Sequence, residues 1–174
     1  MARCDERKPQ TLCVDGVVVV GLAGQQAVCP LRNGVLEEAS ACAADDGQPP
    51  HHLAGKLKDA GYIADVDSYI EDIYLRESQG QTGIGHYVAI PHGKSDSVTQ
   101  VGIAIGKVQD EIEWETLDGN GVKLIFLFAV GNDNENAKTH LRLLAEVART
   151  LGNDDAVEAL LNASTVEDLK AVFA

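Results

Sequence analysis

Positive charge is scarce in this chain. Its 174 residues hold 14 lysines and arginines against 27 aspartates and glutamates, a formal net charge of -13. A surface that neutralises a phosphate backbone needs clustered cations, so general nucleic-acid binding is excluded, as is adhesion to an anionic bilayer. Long apolar runs are missing too. The longest, Val17 to Gly24 and Leu124 to Val130, fall far short of the roughly 20 residues of a membrane-spanning helix. Arg3, Arg7 and Lys8 precede the first run as they would in a signal peptide. Asp15 interrupts the approach and the run is short, so a cytoplasmic protein without membrane insertion is expected. The four cysteines, Cys4, Cys13, Cys29 and Cys42, never form C-x-x-C. A zinc or thiol-redox motif is unsupported, and unpaired thiols are expected. Phosphate-binding P-loop and G-x-G-x-x-G motifs are absent, as is the nucleophile elbow of the α/β hydrolases.

The first fifty residues also lack aromatics. All eight lie from Tyr62 onward, whereas all four cysteines and four of the five prolines precede residue 51. Residues 1–50 are therefore read as an atypical N-terminal segment of the same domain, with a strand over Val14–Ala23, where successive valines are β-branched, and a short helix over Gly34–Ala44. Gly47-Gln-Pro-Pro reads as a breaker. Beyond it, residues 51–61 predict a helix closed by Gly61. Val66, Tyr69, Ile70, Ile73 and Tyr74 predict a second helix with one apolar face, ending near Arg76 and Glu77. His86–Ile90 reads as a strand. In the next strand Val101, Ile103 and Ile105 alternate with Gly102, Ala104 and Gly106. Val122–Val130 is apolar almost throughout and reads as a central strand covered on both faces. Asn136–Leu151 predicts a helix presenting His140, Leu144, Val147, Ala148 and Leu151. The last of two short closing helices opens with a capping box at Ser164 and Glu167. The pattern is that of a single α/β domain, a mixed sheet with helices on both faces.

The stretch TGIGHYVAIPHGKS, Thr82 to Ser95, carries the chemistry. Pro91 fixes the backbone before His92 and Gly93 removes a side chain after it. An imidazole so framed is either an ordinary turn residue or a nucleophile presented to another macromolecule. A phosphoryl group on it would need donors, and Thr82, Lys94, the amides of the Gly-rich turn, Arg76 and His140 are the candidates. Against these stand plainer readings: a half-buried helix residue for His140, and a solvated helix end for Arg76. The plain reading is adopted for His86, a surface strand residue, and for His51 and His52, solvated helix residues. A metal-dependent hydrolase using His86, His92 and His140 is a rival class.

The segment RESQGQTGIGHYVAIPHGKS resembles the signature of the EIIA domain of the fructose/mannitol type in the phosphoenolpyruvate-dependent sugar phosphotransferase system. Ile112-Glu-Trp-Glu-Thr-Leu-Asp-Gly, VKLIFLFAV and Thr139-His-Leu-Arg-Leu-Leu-Ala continue the resemblance in order, over residues 52 to 174. Carried over, His92 accepts a phosphoryl group from the phosphocarrier HPr and passes it to an EIIB domain, which phosphorylates a fructose-like sugar or a hexitol entering through EIIC. His140 matches the assisting histidine and Arg76 the arginine near the site. The resemblance implies a phosphotransferase with no metal and no cofactor. A nitrogen-type regulatory EIIA, acting by phosphorylation-dependent partner binding, shares the signature and is the alternative. Residues 1–50 depart from the family pattern.

Overall fold

A computed structural model of the chain describes residues 14–21, 36–39, 49–132 and 134–173. Strand β7, Val122–Val130, forms the spine of a seven-stranded mixed sheet. Its neighbour on one side is the antiparallel β6, Gly102–Ile112. Beyond β6 come β1, Val14–Gly21, and β2, Leu36–Ala39, again antiparallel. On the other side two short strands, β4 (Val88–Ala89) and β5 (His92–Lys94), both run parallel to β7. They make one strand broken at Ile90-Pro91. β3, Gly83–Gly85, closes that edge antiparallel to β4.

Successive residues of β7 feed opposite layers, which is why the strand reads as apolar throughout. Ile125, Leu127 and Ala129 pack with helices α1 (Pro49–Asp59) and α2 (Val66–Glu77), through Leu53, Leu57, Tyr69, Ile70 and Ile73. Leu124, Phe126, Phe128 and Val130 pack with α3 (Asn134–Leu151), α4 (Asp154–Asn162) and α5 (Val166–Val172), through Leu143, Val147, Val157, Leu160 and Leu169. The small-residue face of β6 has a matching cause. A Cβ at Gly102 would lie 2.7 Å from the ring of Tyr62, and one at Gly106 would lie 2.8 Å from Leu53, so that face is where the α1 layer presses closest.

Several expectations change. Leu36–Ala39 is not helical but pairs with β1, Val18 opposite Glu38; the rest of Gly34–Ala44 lies outside the described residues, as do the last two residues of the expected strand Val14–Ala23. Pro49 and Pro50 do not break the chain. They form the first turn of α1, where a missing N–H leaves nothing unsatisfied. His86 is not in a strand: His86 and Tyr87 turn the β3–β4 hairpin with φ of 53° and 63°, the left-handed pair that a tight hairpin requires. His51 and His52 are half-buried rather than solvated, and the His51 ring lies 6.2 Å from that of Tyr74. On α2, Tyr74 is exposed while Tyr69, Ile70 and Ile73 are buried; on α3, Ala148 is exposed and Leu143 is buried. The last capping box is one residue later than expected, Thr165 with Asp168.

Candidate active site

His92 opens β5 opposite Phe128 of β7. In a parallel pair, residues in register point to the same face, and alternate residues of a strand share it. His92 and Lys94 therefore look toward the α3 layer, with Phe128 and Val130. Gly93, between them, faces α2, where a Cβ would meet the Asp72 carbonyl oxygen at 3.0 Å and the Ile73 Cδ1 at 3.3 Å. The glycine of Pro-His-Gly thus accommodates a helix of the same chain.

His140 of α3 completes the site. Its ring centroid is 6.2 Å from that of His92 and 5.7 Å from that of Phe128, which it meets edge-on. His140 is half-buried, and its Nδ1 is buried without a hydrogen-bond partner. Desolvation, then electrostatic interaction with His92 and Lys94, holds its pKa below the usual histidine value, so the neutral ring is favoured. His140 does not begin α3. The helix starts at Asn134, so nearly two turns precede His140 and the unsatisfied amides of the helix start are not beside it.

The tautomer of His92 follows from one contact. Its Nδ1 lies 2.8 Å from the Ile90 carbonyl oxygen. A carbonyl only accepts, so Nδ1 carries the proton and Nε2 keeps its lone pair. Ile90 is itself held at its other end, since its N–H donates to the Thr82 carbonyl at 3.0 Å. Phe128 is fixed twice, by its N–H to the Pro91 carbonyl at 3.0 Å and by the Tyr69 hydroxyl donating to its carbonyl at 2.7 Å. Burial pushes the Tyr69 pKa far up, so the hydroxyl stays a donor.

The other candidates divide. Lys94 is close enough to act electrostatically on His140. Arg76 is half-buried at the end of α2, one turn beyond Asp72, and its Nη1 donates to the Gly80 carbonyl at 3.0 Å. That bond closes its own helix rather than reaching an imidazole. The Thr82 hydroxyl and amide both donate to the Glu77 carboxylate, at 2.6 and 2.9 Å, so neither is open to a ligand. The hairpin turn sits at the level of Val88 and Leu124, four residues along the sheet from His92, about 13 Å at the usual strand rise. Its amides are directed elsewhere: His86 N–H donates to the Asp118 carboxylate at 2.9 Å. His86 is therefore remote from the His92–His140 pair, and the three-histidine metal reading is not assembled. Among the described residues, no group of three or more His, Cys, Asp and Glu side chains could hold a metal ion. Glu77 and Phe128 escaped sequence reasoning. The one signal for Glu77 was a carboxylate in the last turn of a helix, where the dipole disfavours it.

Residues 51–174 match the model of the family described as phosphoenolpyruvate-dependent sugar phosphotransferase system, EIIA 2. The chain is 32% identical over 120 residues to a PTS system 2-O-alpha-mannosyl-D-glycerate-specific EIIABC component of Escherichia coli strain K12; the match covers 68% of this chain and 18% of that much longer relative. It is 30% identical over 134 residues to a PTS system fructose-specific EIIA component of Haloferax volcanii, covering 73% of this chain and 86% of the relative. Among solved structures it resembles nitrogen regulatory protein IIA-Ntr from Neisseria meningitidis, with a TM-score of 0.63, 26% identity and coverage of 71% and 83%. It shares a fold with the chain solved as a complex of enzyme IIAMTL and phosphorylated enzyme IIBMTL from Escherichia coli, with a TM-score of 0.59, 17% identity and coverage of 71% and 83%.

Proposed function

The chain belongs to the EIIA 2 family of the phosphoenolpyruvate-dependent sugar phosphotransferase system, and from that premise we propose that it is a phosphoryl carrier with His92 as the acceptor. The observation that carries the assignment is the bond from His92 Nδ1 to the Ile90 carbonyl, which leaves the Nε2 lone pair free on the face shared with His140. In the forward step Nε2 attacks the phosphorus of phospho-HPr. The P–N bond to the HPr histidine breaks, its electron pair stays with that imidazole, and the His92 proton remains on Nδ1. In the second step an EIIB nucleophile takes the phosphoryl group and Nε2 recovers its lone pair. Such transfer rests on positioning and charge stabilisation rather than on acid–base work. His140 and Lys94 line the side of His92 where the phosphoryl oxygens would lie, and Arg76 is assigned a supporting role from one turn beyond Asp72.

The relatives favour sugar uptake as the task, with a fructose-like sugar or a hexitol as final acceptor in the cytoplasm. Phosphate labelled on phosphoenolpyruvate should pass through Enzyme I and HPr to this chain. It should leave again when EIIB, EIIC-bearing vesicles and sugar are supplied. The likeness to the nitrogen regulatory protein gives the second reading. Label that loads fully but never drains to any sugar would favour regulation by partner binding.

A further inference from the structure

We propose that Glu77 is a positioning residue for the acceptor histidine, acting through Thr82 and the backbone of Ile90. Glu77, half-buried at the end of α2, takes three hydrogen bonds. Oε1 accepts from the Thr82 amide at 2.9 Å and from Trp114 Nε1 at 3.2 Å, and Oε2 accepts from the Thr82 hydroxyl at 2.6 Å. Thr82 is 3% exposed, so its two donors have no water to fall back on. With Thr82 clamped at both atoms, its carbonyl is fixed, and that carbonyl receives the Ile90 N–H. The opposite end of the same residue, the Ile90 carbonyl, holds His92 Nδ1. Three consecutive hydrogen-bonded steps therefore run from one carboxylate to the imidazole: Glu77 to Thr82, Thr82 to Ile90, and Ile90 to His92.

The links matter because β4 and β5 are interrupted at Ile90-Pro91. Proline has no N–H to give the sheet, and the Ile90 N–H, the donor just before it, goes to Thr82 on the β3 side. If that side loosens, the carbonyl that selects the Nδ1–H tautomer turns away, and the proton is free to move to Nε2. An Nε2–H ring presents the wrong nitrogen.

The test is a tautomer measurement and needs no phosphoryl donor, although the proposal rests on His92 being the acceptor. Nitrogen-15 spectra of histidine-labelled protein distinguish pyrrole-type from pyridine-type ring nitrogens. The wild-type chain should show His92 with Nδ1 protonated. Glu77→Ala should shift the ratio toward the Nε2–H form by roughly fivefold, the equilibrium worth of one ordinary hydrogen bond. Thr82→Val, which keeps the amide bond and the side-chain shape, should shift it less. Glu77→Gln should restore the wild-type ratio, since its amide nitrogen can donate to the Thr82 oxygen while Oε1 still accepts from the Thr82 and Trp114 N–H groups. If Glu77→Ala does not fold, the Thr82→Val and Glu77→Gln spectra decide alone. An unchanged His92 tautomer in the variants, with only a lowered melting temperature, overturns the proposal. If wild-type protein accepts no phosphate from HPr while the tautomer still follows Glu77, the carrier reading fails and the positioning role stands.

Discussion

At the scale of single residues, His140 is the side chain whose charge decides most. Burial is the first cause of its lowered pKa, and electrostatic interaction with His92 and with the Lys94 ammonium adds to it. A histidine with a folded pKa below its ordinary value of 6.5 binds protons more readily when unfolded. Its contribution to stability is complete above that value and is lost as the pH falls from 6.5 toward the depressed folded pKa. The melting temperature should decline over that window, and His140→Gln should flatten the decline; an unchanged slope in the variant would show that other groups set it. Function gives a second expectation. As a donor to phosphoryl oxygens, His140 should be dispensable for loading but costly for onward transfer. His140→Ala should accept phosphate from HPr and slow its passage to EIIB by about 10²–10³, the usual cost of one lost transition-state donor. Stopped-flow transfer at the wild-type rate, alongside a lowered melt, would return His140 to a packing role. The sequence made His92 visible, because Pro91 and Gly93 frame it. It did not reveal the tautomer, which depends on a carbonyl two residues back, nor the fate of Thr82, whose donors look free until Glu77 is seen beside them.

At the scale of elements, the site exists because α2 is pressed onto β5. The contact is close enough that Gly93→Ala would bring a methyl to 3.0 Å from the Asp72 carbonyl. Backbone cannot yield as a flexible side chain can, so helix and strand must part. The substitution should cost about 1–3 kcal/mol, as overpacking does, and should slow phosphoryl acceptance because His92 moves with its strand; chemical denaturation with a loading assay measures both, and a variant of unaltered stability would contradict the close approach. The long, strongly patterned elements were legible: β7 occupies the expected span, and α2 opens at an Asp65 N-cap with Ser68 N–H bonded to it. The failures have physical reasons. His86 and Tyr87 adopt left-handed backbone without being glycine, held by the Asp118 carboxylate and by two amides, of Lys123 and Leu124, donated to the Tyr87 carbonyl. Those partners are distant in sequence. Leu36–Ala39 carries helix-forming Glu37 and Glu38 but is recruited as a strand by β1, a tertiary pairing that overrides propensity.

At the scale of the molecule, the acidic surface and the two-sided sheet set the limits. No helix among the described residues is long and apolar enough to cross a membrane. We propose that residues 1–50, despite their different texture, belong to the same domain as 51–174. Support comes from β1, which lies between β2 and β6 and pairs with β6 from Val14 opposite Val108 to Gly21 opposite Gly102. Deleting residues 1–48 would strip β6 of that neighbour and leave a row of unpaired backbone groups, a template for association. Light scattering should find the truncated chain self-associated; a monodisperse monomer of normal stability would argue that the segment is an appendage. The alternation of helices and strands made the α/β class readable, whereas the place of the N-terminal strands in the sheet could not be read, since pairing is not written in local pattern. The central claim is that one atom, His92 Nε2, carries the phosphoryl group. Its most direct test is nitrogen-15 and phosphorus NMR of the chain loaded through phosphoenolpyruvate, Enzyme I and HPr. The account predicts a single acid-labile phosphate on Nε2 of His92, absent in a folded His92→Gln variant. A phosphate on Nδ1 of His92, on another residue, or on the His92→Gln variant would contradict it.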